Sequence, residues 1–111
     1  MSVFRAFEQQ VLRLIVEPRL GEEITRKVIA EGEALSYEYT GSGYYLEVRH
    51  PDLPKERWVL NEPLVTGRLG EFESGFVVFI DGEVLTLECH SWGDADFPEE
   101  FRDRDVAVAA I

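Results

Sequence analysis

Hydrophobic positions near the start of the chain recur with the period of a helix. Five of them form one stripe: Phe4, Phe7, Val11, Leu14 and Ile15. The opposite side is polar and includes Glu8, which we expect to face solvent. Pro18 cannot donate the next helical hydrogen bond, so the pattern predicts a helix over residues 3–16. Apolar residues at steps of four then predict a short second helix over 20–28.

The pattern changes after residue 34 to the two-residue alternation of a half-buried strand. Apolar and polar residues alternate over 34–49, on both sides of the glycine turn Gly41-Ser42-Gly43, which predicts a hairpin. The proline-containing stretch 51–63 predicts a surface loop that holds one short extended piece around Trp58. A short strand is expected over 64–67.

A second hairpin is predicted around Asp81-Gly82. Its first strand, 76–80, is an unbroken apolar run, which predicts a central strand covered on both faces. Its second strand, 84–89, alternates apolar and polar residues, so one of its faces is expected to meet solvent or a cleft. The apolar tail 106–111 is expected to dock as a last strand or a helical turn.

Helices followed by strands, without regular alternation between the two, indicate an α+β domain. We predict a single domain over residues 1–111, with an antiparallel sheet of about five strands and the amino-terminal helices packed on one face. The single Cys89 excludes an internal disulfide framework and a zinc site built from several thiolates.

Charge narrows the classes of partner. The chain has 22 acidic and 11 basic residues, a formal net charge of -11, which disfavours binding to nucleic acid or to anionic lipid. A basic protein would instead be attracted. No apolar run approaches the length of about 20 residues that spans a bilayer, and the start does not look like a signal peptide, so we expect a cytoplasmic protein.

Three residues are candidates for binding a metal ion. Glu88 and His90 lie two apart on one predicted strand and therefore share a face, and His50 and an aspartate near Asp94 would add donors. This set defines one alternative function, a small metal-dependent hydrolase. Cys89 and His90 point to opposite faces and cannot form a catalytic dyad, so no catalytic residue is assigned. The glycine-rich stretches lack phosphate-loop spacing, and no cofactor is expected.

The acidic segment near the carboxy terminus is the candidate partner surface. It combines aromatic and acidic side chains, a composition suited to docking a basic protein: Trp92, Asp94, Asp96, Phe97, Glu100 and Phe101. An equally weighted alternative is that Phe97 and Phe101, four residues apart, cover the edge of the core from a short helix that begins at Pro98.

Three motifs over residues 34–98 resemble a group of small bacterial proteins of uncharacterised function. They are Tyr39-Thr40-Gly41-Ser42-Gly43-Tyr44-Tyr45, Gly75-Phe76-Val77-Val78-Phe79-Ile80-Asp81-Gly82 and Leu87-Glu88-Cys89-His90-Ser91-Trp92-Gly93. This chain departs from the group's pattern at Cys89-His90. A looser likeness connects it to immunity proteins that neutralise bacterial toxins, which implies an inhibitor of another protein.

The leading functional hypothesis is therefore a non-enzymatic acidic binding module, in one form an immunity-type inhibitor of a basic partner. The metal-dependent hydrolase is the first alternative. The second is an accessory domain that acts by homodimerisation through an open sheet edge.

Overall fold

The structure is a computed structural model, and it describes residues 2–93 and 96–111. Within these residues, three α-helices precede an antiparallel sheet, which makes the fold α+β. The helices are α1 (Ala6–Ile15), α2 (Glu17–Leu20) and α3 (Glu22–Glu31). The strands are β1 (Glu33–Tyr39), β2 (Gly43–Arg49), β3 (Trp58–Leu60), β4 (Val65–Leu69), β5 (Phe72–Asp81), β6 (Val84–Ser91) and β7 (Ala107–Ala110).

The sheet has the strand order β1-β2-β6-β5-β4-β7, and β3 pairs with the remaining length of β5. The described residues thus form seven strands, and the prediction of about five was too low. The two additional strands are β3, inside the predicted loop, and β7, in the apolar tail. Both strands are short, and both pair with strands distant in the sequence, as in the pairing of Arg68 with Ala107. The pattern of apolar and polar residues within each of them is therefore weak.

Both predicted hairpins are present. The strands β1 and β2 pair antiparallel from Glu33 opposite Arg49 to Tyr39 opposite Tyr44. The strands β5 and β6 are joined by Gly82 and Glu83, with φ of 58° and 66°. Positive φ at both central residues is the backbone geometry of the two-residue hairpin turn that follows the sheet twist.

The helices cover one face of the sheet. Apolar residues of α1 pack against side chains from the strands, and Phe7 lies against Phe76 with ring centroids 6.2 Å apart. In β5, Phe76, Val78 and Ile80 are buried while Val77 and Phe79 are only half-buried. The expectation that this strand is covered on both faces was therefore wrong, although its central position is confirmed.

Glu8 is a third correction, because its side chain is fully buried rather than solvent-exposed. Its carboxylate accepts two hydrogen bonds from Arg102, at 2.7 and 2.9 Å, and one from the Tyr44 hydroxyl at 2.6 Å. It also accepts the backbone N–H of Arg5, at the start of α1. These donors offset the cost of removing the Glu8 carboxylate from water. The ion pair between Glu8 and Arg102 therefore connects α1 to the carboxy-terminal segment.

Candidate functional site: the open face of the sheet

The face of the sheet opposite the helices defines the candidate site. On β6, Leu85, Leu87 and Cys89 are buried, whereas the intervening residues are half-buried. Directly paired residues of antiparallel strands share a face, so the register extends this surface to the neighbouring strands. We call it the open face, and its main residues are Tyr45, Glu47, Val59, Val77, Phe79, Val84, Thr86, Glu88 and His90.

One row of paired residues crosses five strands of the open face. It runs Ser36, Glu47, Thr86, Phe79 and Val59, from β1 to β3. The row is polar on the side of β1 and β2 and apolar on the side of β5 and β3. Along this row, the open face therefore changes from polar to apolar side chains.

Two hydrogen bonds orient carboxylates of the open face on β2 and β6. The Ser36 hydroxyl donates to Glu47 Oε1 at 2.6 Å, and the Tyr45 hydroxyl donates to Glu88 Oε2 at 3.0 Å. The hydrogen bond to the Glu88 carboxylate and its charge raise the pKa of the Tyr45 phenol above its usual value. Both carboxylates are thereby oriented while staying accessible from solvent.

The open face carries an excess of negative charge. Among the described residues, the acidic residues of this face are Glu33, Glu38, Glu47, Glu73, Asp81 and Glu88, and its basic residues are Arg49 and Arg68. Six carboxylates against two guanidinium groups leave an excess of four negative charges. Large apolar side chains are exposed beside them: Leu35 by 48%, Val59 by 47% and Trp92 by 38%. Apolar side chains that stay exposed beside charged ones are available to contact a partner.

Trp92 reaches the open face through a glycine in the adjacent strand. Its indole Nε1 donates to His90 Nε2 at 3.1 Å, and it lies over Gly75, the residue paired with His90. A Cβ at Gly75 would fall 2.2 Å from Trp92 Nε1, so only glycine admits this arrangement. The contact uses His90 Nε2 as an acceptor and leaves the buried Nδ1 with no partner among the described residues.

The three candidate metal ligands are not brought together. His90 pairs with Gly43 at one end of β2, whereas His50 follows Arg49 at the other end. His50 is buried, with Nε2 3.0 Å from Glu31 and Nδ1 accepting the backbone N–H of Asp52. Over residues 2–93 and 96–111, no three His, Cys, Asp or Glu residues converge as a metal site would require.

Cys89 lies on the covered face, opposite to His90 along the same strand. Its side chain is 1% exposed, and burial raises the pKa of the thiol far above its ordinary value. The thiol therefore stays protonated, and Cys89 belongs to the core.

The predicted partner surface near the carboxy terminus is divided by the fold. Phe97 and Phe101 are 2% and 0% exposed, with ring centroids 4.6 Å apart, and they pack into the core. Their assignment to a partner surface was wrong, because the segment folds back and the Tyr39 hydroxyl donates to the Phe97 carbonyl. The core alternative is correct, although the helix after Pro98 is only a 3-10 turn at Phe101–Asp103.

Of the other predicted contact residues, Asp96 and Glu100 are exposed and Trp92 joins the open face. Asp94 lies outside the described residues.

Sequence reasoning did not assign the open face as the site, although the alternation of 84–89 indicated that one side of β6 meets solvent or a cleft.

Comparisons with family models, curated proteins and solved structures found no match to this chain. The resemblance to small bacterial proteins and to immunity proteins thus stays a prediction. Within the described residues, no helix combines the length and the apolar character needed to cross a bilayer.

Proposed function

We propose that this chain is a non-enzymatic binding module that uses its open face to bind a basic partner protein. The observation that carries the proposal is the open face itself, where exposed apolar side chains lie among carboxylates on the side opposite the helices. In the form implied by the likeness to immunity proteins, the module is a cytoplasmic inhibitor and its partner is a toxin.

The dimensions of the open face suit a protein partner. Five strands at about 4.8 Å spacing give a width of about 20 Å, and eight residues of β6 at about 3.3 Å each give a length of about 26 Å. The resulting flat area of about 500 Å² is comparable with one side of the smaller specific protein interfaces. Acidic charge on this face would attract a basic partner and accelerate their encounter.

Another cavity, of about 430 Å³, lies between the start of α1 and the 3-10 turn, and it supports the proposal less well. Two of its cationic side chains are already paired. Arg5 is 3.2 Å from Asp103, and Arg102 is bound to the buried Glu8. Charges that are satisfied within the fold are poorly suited to hold a ligand.

The chemistry of the candidate nucleophile and base also favours binding over catalysis. Cys89 is buried with a raised pKa, and His90 Nε2 is occupied by the indole N–H of Trp92. A nucleophile and a base must share hydrogen-bond distance and access to substrate, and these two side chains point to opposite faces of the sheet.

The test is capture of partners from cells of the source organism, followed by kinetics with the purified partner. The double variant Glu38→Lys with Glu88→Lys should lower the association rate at low salt by about tenfold. The double variant Glu99→Lys with Glu100→Lys changes net charge equally but lies on the carboxy-terminal segment, and it should lower the rate much less. The reverse ranking, or equal effects of the two variants, would overturn the assignment to the open face.

A further inference from the structure

A shallow cavity of about 350 Å³ indents the open face. It lies over β6 and is bounded by side chains from β1, β2 and β5. Six of its lining residues matter here: Leu35, Glu47, Phe79, Asp81, Val84 and Thr86. Three of them are apolar, two are acidic and one carries a hydroxyl group.

The two carboxylates stand on opposite sides of the cavity. Glu47 pairs with Thr86, whereas Asp81 pairs with Val84 on the other side of β6. Two strand spacings of about 4.8 Å and two residues along the strand place their Cα atoms about 12 Å apart. Among the described residues no third His, Cys, Asp or Glu converges with these two carboxylates as a metal site would require, whereas carboxylates on opposite sides of a cavity can bind the two edges of a planar cation.

Both carboxylates retain capacity to accept hydrogen bonds. Ser36 donates to Glu47 Oε1, and the structure gives Oε2 no donor within the described residues. Asp81 forms no ion pair among those residues, and Arg49, on the other side of β6 in the same row, contacts Glu83 at 3.7 Å. The cavity therefore combines unsatisfied negative charge with an apolar wall formed by Leu35, Phe79 and Val84.

We propose that this cavity receives an arginine side chain of the partner protein. The aliphatic stem packs on Leu35 and Val84, the guanidinium stacks on Phe79, and its two edges donate to Glu47 and Asp81. Arginine fits better than lysine, because its planar group has donors in several directions and stacks on aromatic rings, whereas an ammonium group is a compact charge. Buried arginines are frequent among the residues that dominate interface energies.

This inference rests on the proposed function of the open face, and its first test needs no partner. A capped arginine amide is titrated into isotope-labelled protein, and amide chemical shifts are followed by NMR. We expect saturating shifts at Glu47, Phe79, Asp81 and Thr86, with affinity at least about threefold above that of the capped lysine amide. Equal binding of the two amides, shifts spread over all acidic surfaces, or no shifts would overturn the inference.

Variants of the two carboxylates test whether the chemical-shift changes arise from binding in the cavity. Glu47→Gln with Asp81→Asn should abolish the saturating shifts, whereas Glu71→Gln, in the exposed turn between β4 and β5, should leave them unchanged. The spectrum of each variant reports directly whether it is folded. Unchanged shifts in the double variant would overturn the inference.

The second test separates this inference from the proposed function by using the captured partner. We expect the double variant Glu47→Gln with Asp81→Asn to weaken partner binding by about tenfold or more. If Glu38→Lys with Glu88→Lys slows association but the cavity variant binds normally, the open face is correct and the arginine site is wrong. If neither variant changes binding, both proposals fail.

Discussion

Tyr44 and Tyr45 are adjacent on β2 and point to opposite faces of one sheet. Each phenol donates a hydrogen bond to a glutamate: Tyr44 to Glu8 at 2.6 Å and Tyr45 to Glu88 at 3.0 Å. The first tyrosine is 1% exposed and the second is 38% exposed. The same pair of functional groups therefore occurs in two environments one residue apart.

The difference separates what stabilises this fold from what is available to a partner. On the covered face, Glu8 accepts additional hydrogen bonds from Arg102 and from the backbone of Arg5, and losing Arg102 would leave the buried carboxylate without a counter-charge. On the open face, water can replace the Tyr45 hydroxyl at Glu88. Substitutions on the covered face should therefore change stability, and those on the open face should change binding.

The largest expected effect is that of Arg102→Ala, which leaves the Glu8 carboxylate buried without its guanidinium. We expect a loss of about 3–5 kcal/mol in the free energy of unfolding, measured by urea denaturation. Arg104→Ala is the matched control, because Arg104 and Glu100 are 55% and 59% exposed in their ion pair, and it should cost less than about 1 kcal/mol. Similar losses in both variants would contradict the role assigned to burial.

The next comparison uses neighbouring residues of β6. Leu87 is 0% exposed on the covered face, so Leu87→Ala should cost about 2–5 kcal/mol through lost burial and a residual cavity. Thr86→Ala, on the open face, should cost less than about 1 kcal/mol. Thermal and urea unfolding of the two variants measure this contrast, and equal costs would mean that the open face is also part of a packed layer.

The tyrosines themselves give a smaller contrast. Tyr44→Phe removes one donor from the buried Glu8 and should cost about 1–3 kcal/mol. Tyr45→Phe removes an exposed donor and should change the free energy of unfolding by less than about 0.5 kcal/mol. A cost for Tyr45→Phe equal to that for Tyr44→Phe would break the comparison between the two faces.

The stability that Tyr44 contributes is expected to depend on pH in the alkaline range. Burial, together with the Glu8 charge, raises the pKa of the Tyr44 phenol well above 10.0, so the folded state holds this proton more tightly than the unfolded state. The stability that Tyr44 contributes is therefore complete below pH 10 and is lost as the pH rises above that value. Between about pH 9 and about pH 11, Tyr44→Phe should lose less stability than the parent protein. An equal loss would contradict this assignment.

The smallest effect on stability is expected on the open face. Glu38→Lys with Glu88→Lys should change the free energy of unfolding by less than about 0.5 kcal/mol, while it slows association with the partner. Circular dichroism and urea unfolding provide the measurement. A large loss of stability would show that these carboxylates support the fold rather than a binding surface.

Much of the architecture was predictable from local patterns. The helical stripe containing Phe7 and Val11, the two hairpins and the central position of β5 follow from periodicity and turn residues over short stretches. The open side of β6 was likewise indicated by its alternation. These features depend on backbone geometry and on which side of one element is apolar, and both are properties of neighbours in sequence.

The site required the tertiary structure, since its residues come from strands far apart in the chain. Glu47 on β2 and Asp81 on β5 line one cavity only because β6 lies between the two strands. Phe97 was indistinguishable by composition from a surface aromatic until the fold-back placed it in the core. Local periodicity determined the elements and their apolar sides, whereas long-range packing decided which polar groups are buried and which face stays open, because burial depends on the neighbours that the fold supplies.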